Sequence, residues 1–158
     1  MSVLIADRKE TPSSSVRPGR VDFITALKTS TVIVITAPLS PSTTNLISAS
    51  EFALMRPDAL LINVSRGGIV DEMELIKALK ERKIAGAATD VYVEEPAGRE
   101  NMLVRAAEEW KDNSELGGRL VLSPHVAWFA GSSTEKLRRT VVMNVEAWAR
   151  GEELNLVG

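Results

Sequence analysis

The sequence predicts an α/β protein built on a doubly wound, parallel β-sheet, and three observations predict it. Short apolar runs rich in β-branched residues alternate with helical patterns along the chain. Each run is near-continuously apolar rather than alternating, which suits a parallel strand buried on both faces. Polar and charged residues crowd the positions just after the runs, where ligands gather in sheets of this kind.

The elements follow in order. The first run, 3–6, is closed by Asp7 and Arg8, and the Ser-, Pro- and Arg-rich stretch 11–19 reads as an exposed loop. The second run, 31–37, leads into Pro38-Leu39-Ser40. Ser48 and Glu51 are spaced as a capping box before Phe52, Leu54 and Met55, and Pro57 ends that helical segment. The third run, 59–64, is followed by Ser65-Arg66-Gly67-Gly68. Asp71 with Glu74 opens a helix carrying Leu75, Ile76 and Leu79 on one stripe. The fourth run, 84–91, precedes a polar excursion at 97–118 that contains a helical stretch, 101–111, and closes at Gly117-Gly118. Leu120–Leu122 is the fifth run and leads to His125. The longest helix begins near Ser132 with Glu135. It sets Leu137, Val141, Val145 and Trp148 on one face and stops at Gly151.

Composition removes several function classes. The 158 residues allow one domain with a substantial core. A net charge of -2 provides no electrostatic footprint for nucleic acid or an anionic membrane. The absence of cysteine excludes disulfides and thiolate chemistry, and a single histidine argues against a His-rich metal site, so no metal is expected. No basic segment leads into a long apolar run, and no stretch approaches the roughly 20 apolar residues a membrane helix needs. A cytoplasmic protein is expected.

The residues after the runs carry complementary chemistry. Arg66 offers a planar, bidentate fork suited to a carboxylate. His125 is the natural proton donor or acceptor near neutral pH. A neighbouring glutamate would orient the imidazole and stabilise its protonated form. Each has an ordinary structural use when taken singly. Together at successive strand ends they describe reduction of a 2-oxo acid by hydride from a bound nicotinamide.

Four local strings extend this into a family resemblance. Leu61-Ile62-Asn63-Val64-Ser65-Arg66-Gly67-Gly68-Ile69-Val70-Asp71-Glu72 resembles the arginine motif of the D-isomer-specific 2-hydroxyacid dehydrogenases. The stretch from Ile84 to Tyr92, followed by Glu94-Glu95-Pro96, resembles their Asp–Glu motif. Leu122-Ser123-Pro124-His125-Val126-Ala127-Trp128 resembles their histidine motif, in the form of the glycerate dehydrogenase/hydroxypyruvate reductase branch. Pro38-Leu39-Ser40, with Thr43, resembles their cofactor-contacting segment.

The resemblance implies a role for each matching residue. Arg66 would bind the substrate carboxylate and polarise the carbonyl, His125 would exchange the proton, and Glu95 would hold His125. Asp90 would accept a hydrogen bond from the nicotinamide carboxamide, with Pro38, Ser65 and His125 also contacting the cofactor. Asp7 would bind the adenosine ribose hydroxyls, which favours NAD, while Arg8 beside it leaves NADP open. The implied substrate is a small 2-oxo or 2-hydroxy acid.

The implied fold is an incomplete Rossmann-type doubly wound sheet lacking the first βα unit, because the sequence contains no G-x-G-x-x-G. Residues 1–158 would form a partial NAD-binding domain, with the helix at 132–150 packing back toward a missing substrate domain. In the strand order 3-2-1-4-5-6 the five runs would be strands 2 and 3, then 4, 5 and 6. Strands 2 and 4 would then each present an unpaired edge. A second chain supplying the missing strand, or a homodimer, is the expected partner. The alternative to an enzyme is a non-catalytic, nucleotide-sensing or interaction module derived from the same family.

Overall fold

The computed structural model describes residues 2–156, and four of the five apolar runs form one parallel sheet within them. The strands are β1 (Val32–Ile35), β2 (Leu60–Asn63), β3 (Gly86–Thr89) and β4 (Leu120–Leu122), and they lie in chain order. Register aligns Ile35, Asn63, Thr89 and Leu122 as the last row of the sheet. The residues that follow them therefore share one carboxyl rim.

The helices are α1 (Phe23–Thr29), α2 (Ala49–Phe52), α3 (Glu72–Lys80), α4 (Met102–Trp110) and α5 (Gly131–Ala149). Their starts obey local capping chemistry. The Glu51 carboxylate accepts from the Ser48 amide, 3.1 Å away, at the head of α2. Asp71 accepts from the amides of Met73 and Glu74 at the head of α3, and Asn101 from Leu103 and Val104 at the head of α4. Sequence reasoning overlooked α1, whose signal was Asp22 accepting from the Thr25 amide. That helix is short and buries only Leu27 among its own residues.

The run at 3–6 is a correction. It is not a strand of the sheet, and Val3, Leu4 and Ile5 are exposed. Among the described residues its ladder is a single parallel bridge, Ala6 to Val21, with Asp7 N donating to Val21 O and Val21 N to Ile5 O. One bridge satisfies few backbone groups and buries no apolar face, so the segment stays extended without joining a sheet. Lys9 Nζ, 2.9 Å from the buried Glu51 carboxylate, links the following residues to α2.

The expected gap is also misplaced. The run at 31–37 does not partner the run at 3–6, because Val32 pairs with Leu60 and Ile35 with Asn63. The four-stranded sheet is thus continuous, and β1 is an edge strand.

Burial on both strand faces is the third correction. Alternation divides each strand between two sides. Ile35, Leu61, Ala87, Leu120, Asn63 and Thr89 share one side and are buried. Val32, Val34, Leu60 and Val121 lie on the other side and are exposed. The buried side faces the main core, which includes Phe52 of α2, Leu75 and Leu79 of α3, and Leu103 and Trp110 of α4. α2 contacts α3 and α3 contacts α4, so these helices form a continuous layer. The excursion at 97–118 belongs to that layer, with Lys80 Nζ 5.8 Å from the centre of the Trp110 ring.

The chain divides after His125 into two units. The second contains α5, whose Leu137, Val141, Val145 and Trp148 are exposed. Asn155 Nδ2 donates to Asn144 Oδ1 at 2.8 Å and ties the tail to that helix. Among the described residues, no helix is long and apolar enough to cross a membrane.

Candidate active site

The carboxyl rim of β2, β3 and β4 carries Arg66, Glu95 and His125. Arg66 sits in the loop after β2, which Asn63 shapes from within. The Asn63 amide nitrogen donates to Arg66 O at 3.0 Å, and its amide oxygen accepts from Ser65 N at 3.2 Å. Asn63 is buried and positions the loop, a role its place in the string 61–72 does not reveal. Its only signal was a polar side chain ending an apolar run. Ser65 Oγ donates to Ala37 O and joins this loop to the one after β1. The Arg66 guanidinium is exposed, with Nη1 donating to Ser65 O at 2.7 Å.

Gly67 lets the Arg66 loop approach the loop after β3. A Cβ built there would stand 1.7 Å from Tyr92 O, so no side chain fits. Tyr92 is buried, and its hydroxyl donates to Ser123 O at 3.0 Å, linking the loops after β3 and β4. Burial, together with Asp90, Glu72 and Glu95, pushes the phenol pKa upward and keeps this donor protonated. Val93 N donates to the Glu72 carboxylate at the head of α3.

Glu95 accepts from Tyr92 N through Oε1 at 2.9 Å, and Oε2 lies 2.6 Å from His125 Nδ1. Partial burial raises the carboxyl pKa, but other effects outweigh it. The hydrogen bonds with His125 and the Tyr92 amide, and the charges of His125 and Arg66, hold it below the ordinary value of 4.5. His125 has φ 56°, in the left-handed region that few non-glycine residues enter, histidine more often than most. Such a conformation persists only where surrounding structure enforces it.

Of the candidate cofactor residues, Pro38, Ser65 and Asp90 follow strands of the sheet, while Asp7 and Arg8 follow the run at 3–6 outside it. Asp90, the residue after β3, is buried, and its Oδ1 accepts from Ser123 Oγ at 2.5 Å. Pro38 follows β1 in a turn locked by Thr43, whose Oγ1 accepts from Ser40 N and donates to Pro38 O, both at 2.7 Å. Asp7 is buried beside an open cavity of about 320 Å³ lined by Asp7, Arg8, Thr11, Ser15 and Arg17. Its carboxylate accepts from Arg8 N, Arg17 N, Arg17 Nε and Arg17 Nη2. Bonding to Arg17, chiefly through its side chain, holds the Asp7 pKa far below the usual carboxylate range. Arg17 went unnamed in the sequence analysis because it lies in a stretch read only as exposed loop. The paired Glu95 and His125 on the polar rim have the geometry for proton exchange.

The chain is similar to known proteins of one family. Residues 1–127 match the family model described as D-isomer specific 2-hydroxyacid dehydrogenase, NAD binding domain. The chain is 40% identical over 139 residues to the glycerate dehydrogenase of Methylorubrum extorquens, covering 88% of this chain and 41% of that protein. It is 37% identical over 154 residues to the glyoxylate reductase of Thermococcus litoralis, covering 96% of this chain and 43% of that one. The crystal structure of D-lactate dehydrogenase with NAD+ from Lactobacillus jensenii superposes with a TM-score of 0.76 at 28% identity, over 98% of this chain and 47% of that one. The chain thus spans less than half the length of the relatives it matches.

Proposed function

The chain belongs to the D-isomer specific 2-hydroxyacid dehydrogenases, within their NAD-binding domain, and from that premise we propose that it supplies the catalytic rim of an enzyme interconverting a short D-2-hydroxy acid and its 2-oxo acid. The observation that carries this reading is the 2.6 Å contact between His125 Nδ1 and Glu95 Oε2 on the rim that also bears Arg66. The names of the relatives point to substrates of the glycerate and glyoxylate kind.

The nicotinamide, when bound, supplies or takes up the hydride at the substrate C2. Arg66 binds the substrate carboxylate through its fork and draws electron density from the adjacent carbonyl. With Nδ1 held by Glu95, proton exchange with the substrate oxygen falls to Nε2 of His125. Glu95 remains anionic and steadies the imidazolium when the ring carries its proton. Asp7, Arg8, Pro38, Ser65 and Asp90 are the residues that would hold the dinucleotide. Leu137, Val141, Val145 and Trp148 on α5 would be covered in the complete protein by its substrate domain or by a second copy.

The test is a chimera in which residues 1–158 replace the matching segment of the Methylorubrum extorquens glycerate dehydrogenase. Hydroxypyruvate-dependent oxidation of reduced cofactor should be restored. His125→Ala should lower kcat by about 10²–10⁴, the usual contribution of a positioned acid. Arg66→Lys should also be severe, since an ammonium cannot reproduce the bidentate fork. Wild-type rates in both folded variants would place the chemistry elsewhere.

A further inference from the structure

The start of α3 holds a carboxylate that the helix does not use. Asp71 caps α3 by accepting from the Met73 and Glu74 amides. Glu72 reaches off the helix instead, its Oε1 accepting from Val93 N at 2.9 Å and its Oε2 from Asn101 Nδ2 at 3.4 Å. Val93 N belongs to the peptide group whose oxygen, Tyr92 O, lies against Gly67. That peptide is therefore fixed on its carbonyl side by the Arg66 loop and on its amide side by Glu72. The adjacent amide, Tyr92 N, donates to Glu95 Oε1, and Glu95 Oε2 meets His125 Nδ1 at 2.6 Å. Glu72 and Glu95 thus grip successive amides of one loop.

The second contact of Glu72 comes from a different element. Asn101 heads α4, and its Oδ1 accepts from the amides of Leu103 and Val104. With the oxygen committed to the cap, Nδ2 is the end that faces Glu72. The excursion at 97–118 is joined to the rim through this side chain.

We propose that Glu72 is a positioning residue for the Glu95–His125 pair. It fixes the Tyr92–Val93 peptide from which Glu95 hangs, and Asn101 seats it from α4. Its importance for turnover rests on the reading of His125 as the proton exchanger, but its effect on the imidazole is measurable without any reaction. An ionised Glu95 only accepts, so a neutral His125 ring paired with it carries its proton on Nδ1. A ring released from Glu95 moves that proton toward Nε2, the preference of a free imidazole in water.

His125 is the single histidine of the 158 residues, so its ring nitrogens give the only imidazole signals in a nitrogen NMR spectrum of the chain. Glu72→Asp keeps the negative charge in the first turn of α3 but is one methylene too short for Val93 N. Glu72→Gln loses the charge but keeps the reach and an acceptor oxygen. With the ring neutral, the parent should show Nδ1 protonated and Glu72→Gln should match it. Glu72→Asp should shift both nitrogens toward their values in Glu95→Ala. Asn101→Asp, which keeps the α4 cap but sets a repelling carboxylate against Glu72, should shift them the same way. A folded Glu72→Asp or Asn101→Asp with parent shifts would overturn the proposal, whatever the change in melting temperature. So would a Glu72→Gln that behaves like Glu95→Ala, because charge rather than reach would then be at work. A parent already indistinguishable from Glu95→Ala would overturn it together with the pairing it acts on. In the chimera, Glu72→Asp should lower kcat about tenfold, part of what a positioned acid contributes. KM should change little, since Asn63 holds the Arg66 loop. A shifted tautomer with unchanged kcat would support the positioning role and remove His125 from the chemistry.

Discussion

His125, Glu95 and Arg66 are individually unremarkable side chains whose chemistry comes from being neighbours. Glu95 can orient His125 because it stays ionised through the range where an imidazole titrates. Asp7 shows the same dependence on a partner, with a measurable consequence. Its folded-state pKa is depressed, so the Arg17 pair contributes its full stability above the ordinary value of 3.8 and loses it as pH falls below. Asp7→Asn should therefore be less stable than the parent at pH 7, with the difference narrowing in acid. Chemical denaturation at pH 7 and pH 3 measures this, and a difference that is constant across pH would refute it.

Among the elements, the loops after the strands hold the candidate site, and backbone contact holds the loops. The approach of Gly67 to Tyr92 O has the least room of these contacts. Gly67→Ala should force the loops apart and cost about 1–3 kcal/mol or more, the usual range for overpacking. A matching loss of activity in the chimera should accompany it, because Glu95 hangs from the Tyr92 amide. An unchanged melting temperature and unchanged kcat would show that the loops give way freely. At the other end of the sheet, β1 presents an open edge with Val32 and Val34 exposed. Exposed apolar edges promote pairing between chains, and a charge there opposes it. Val34→Lys should reduce concentration-dependent association, which sedimentation velocity would detect as a lower weight-average mass.

For the whole molecule, the sequence lacks a G-x-G-x-x-G, and with it the backbone donors that cradle a pyrophosphate at a helix N-terminus. The isolated 158-residue chain should accordingly bind NADH and NADPH more weakly than micromolar and show no 2-oxo acid reductase activity. Titration calorimetry with each cofactor, with a hydroxypyruvate-dependent assay beside it, checks both parts. Sustained turnover by the purified chain would mean that the dinucleotide is held by contacts other than those along this rim.

The sequence by itself determined the α/β class, the positions of β1 to β4 and the caps of α2 and α3, and it nominated Arg66, Glu95 and His125 as candidates. These features are local: apolar periodicity, a capping side chain three residues from its partner, and polar residues ending an apolar run. Only the tertiary structure decided which strands pair, which strand faces are covered, and what Asp7 touches. The run at 3–6 has the composition of a strand, but a strand requires a neighbour, and its one bridge is to Val21. The run at 31–37 looks the same in sequence and is a strand because Leu60 to Asn63 lie beside it. Asn63 and Arg17 were illegible as positioning residues for a related reason. Their importance lies in hydrogen bonds to the Arg66 loop and to Asp7, contacts that exist only once the chain has folded.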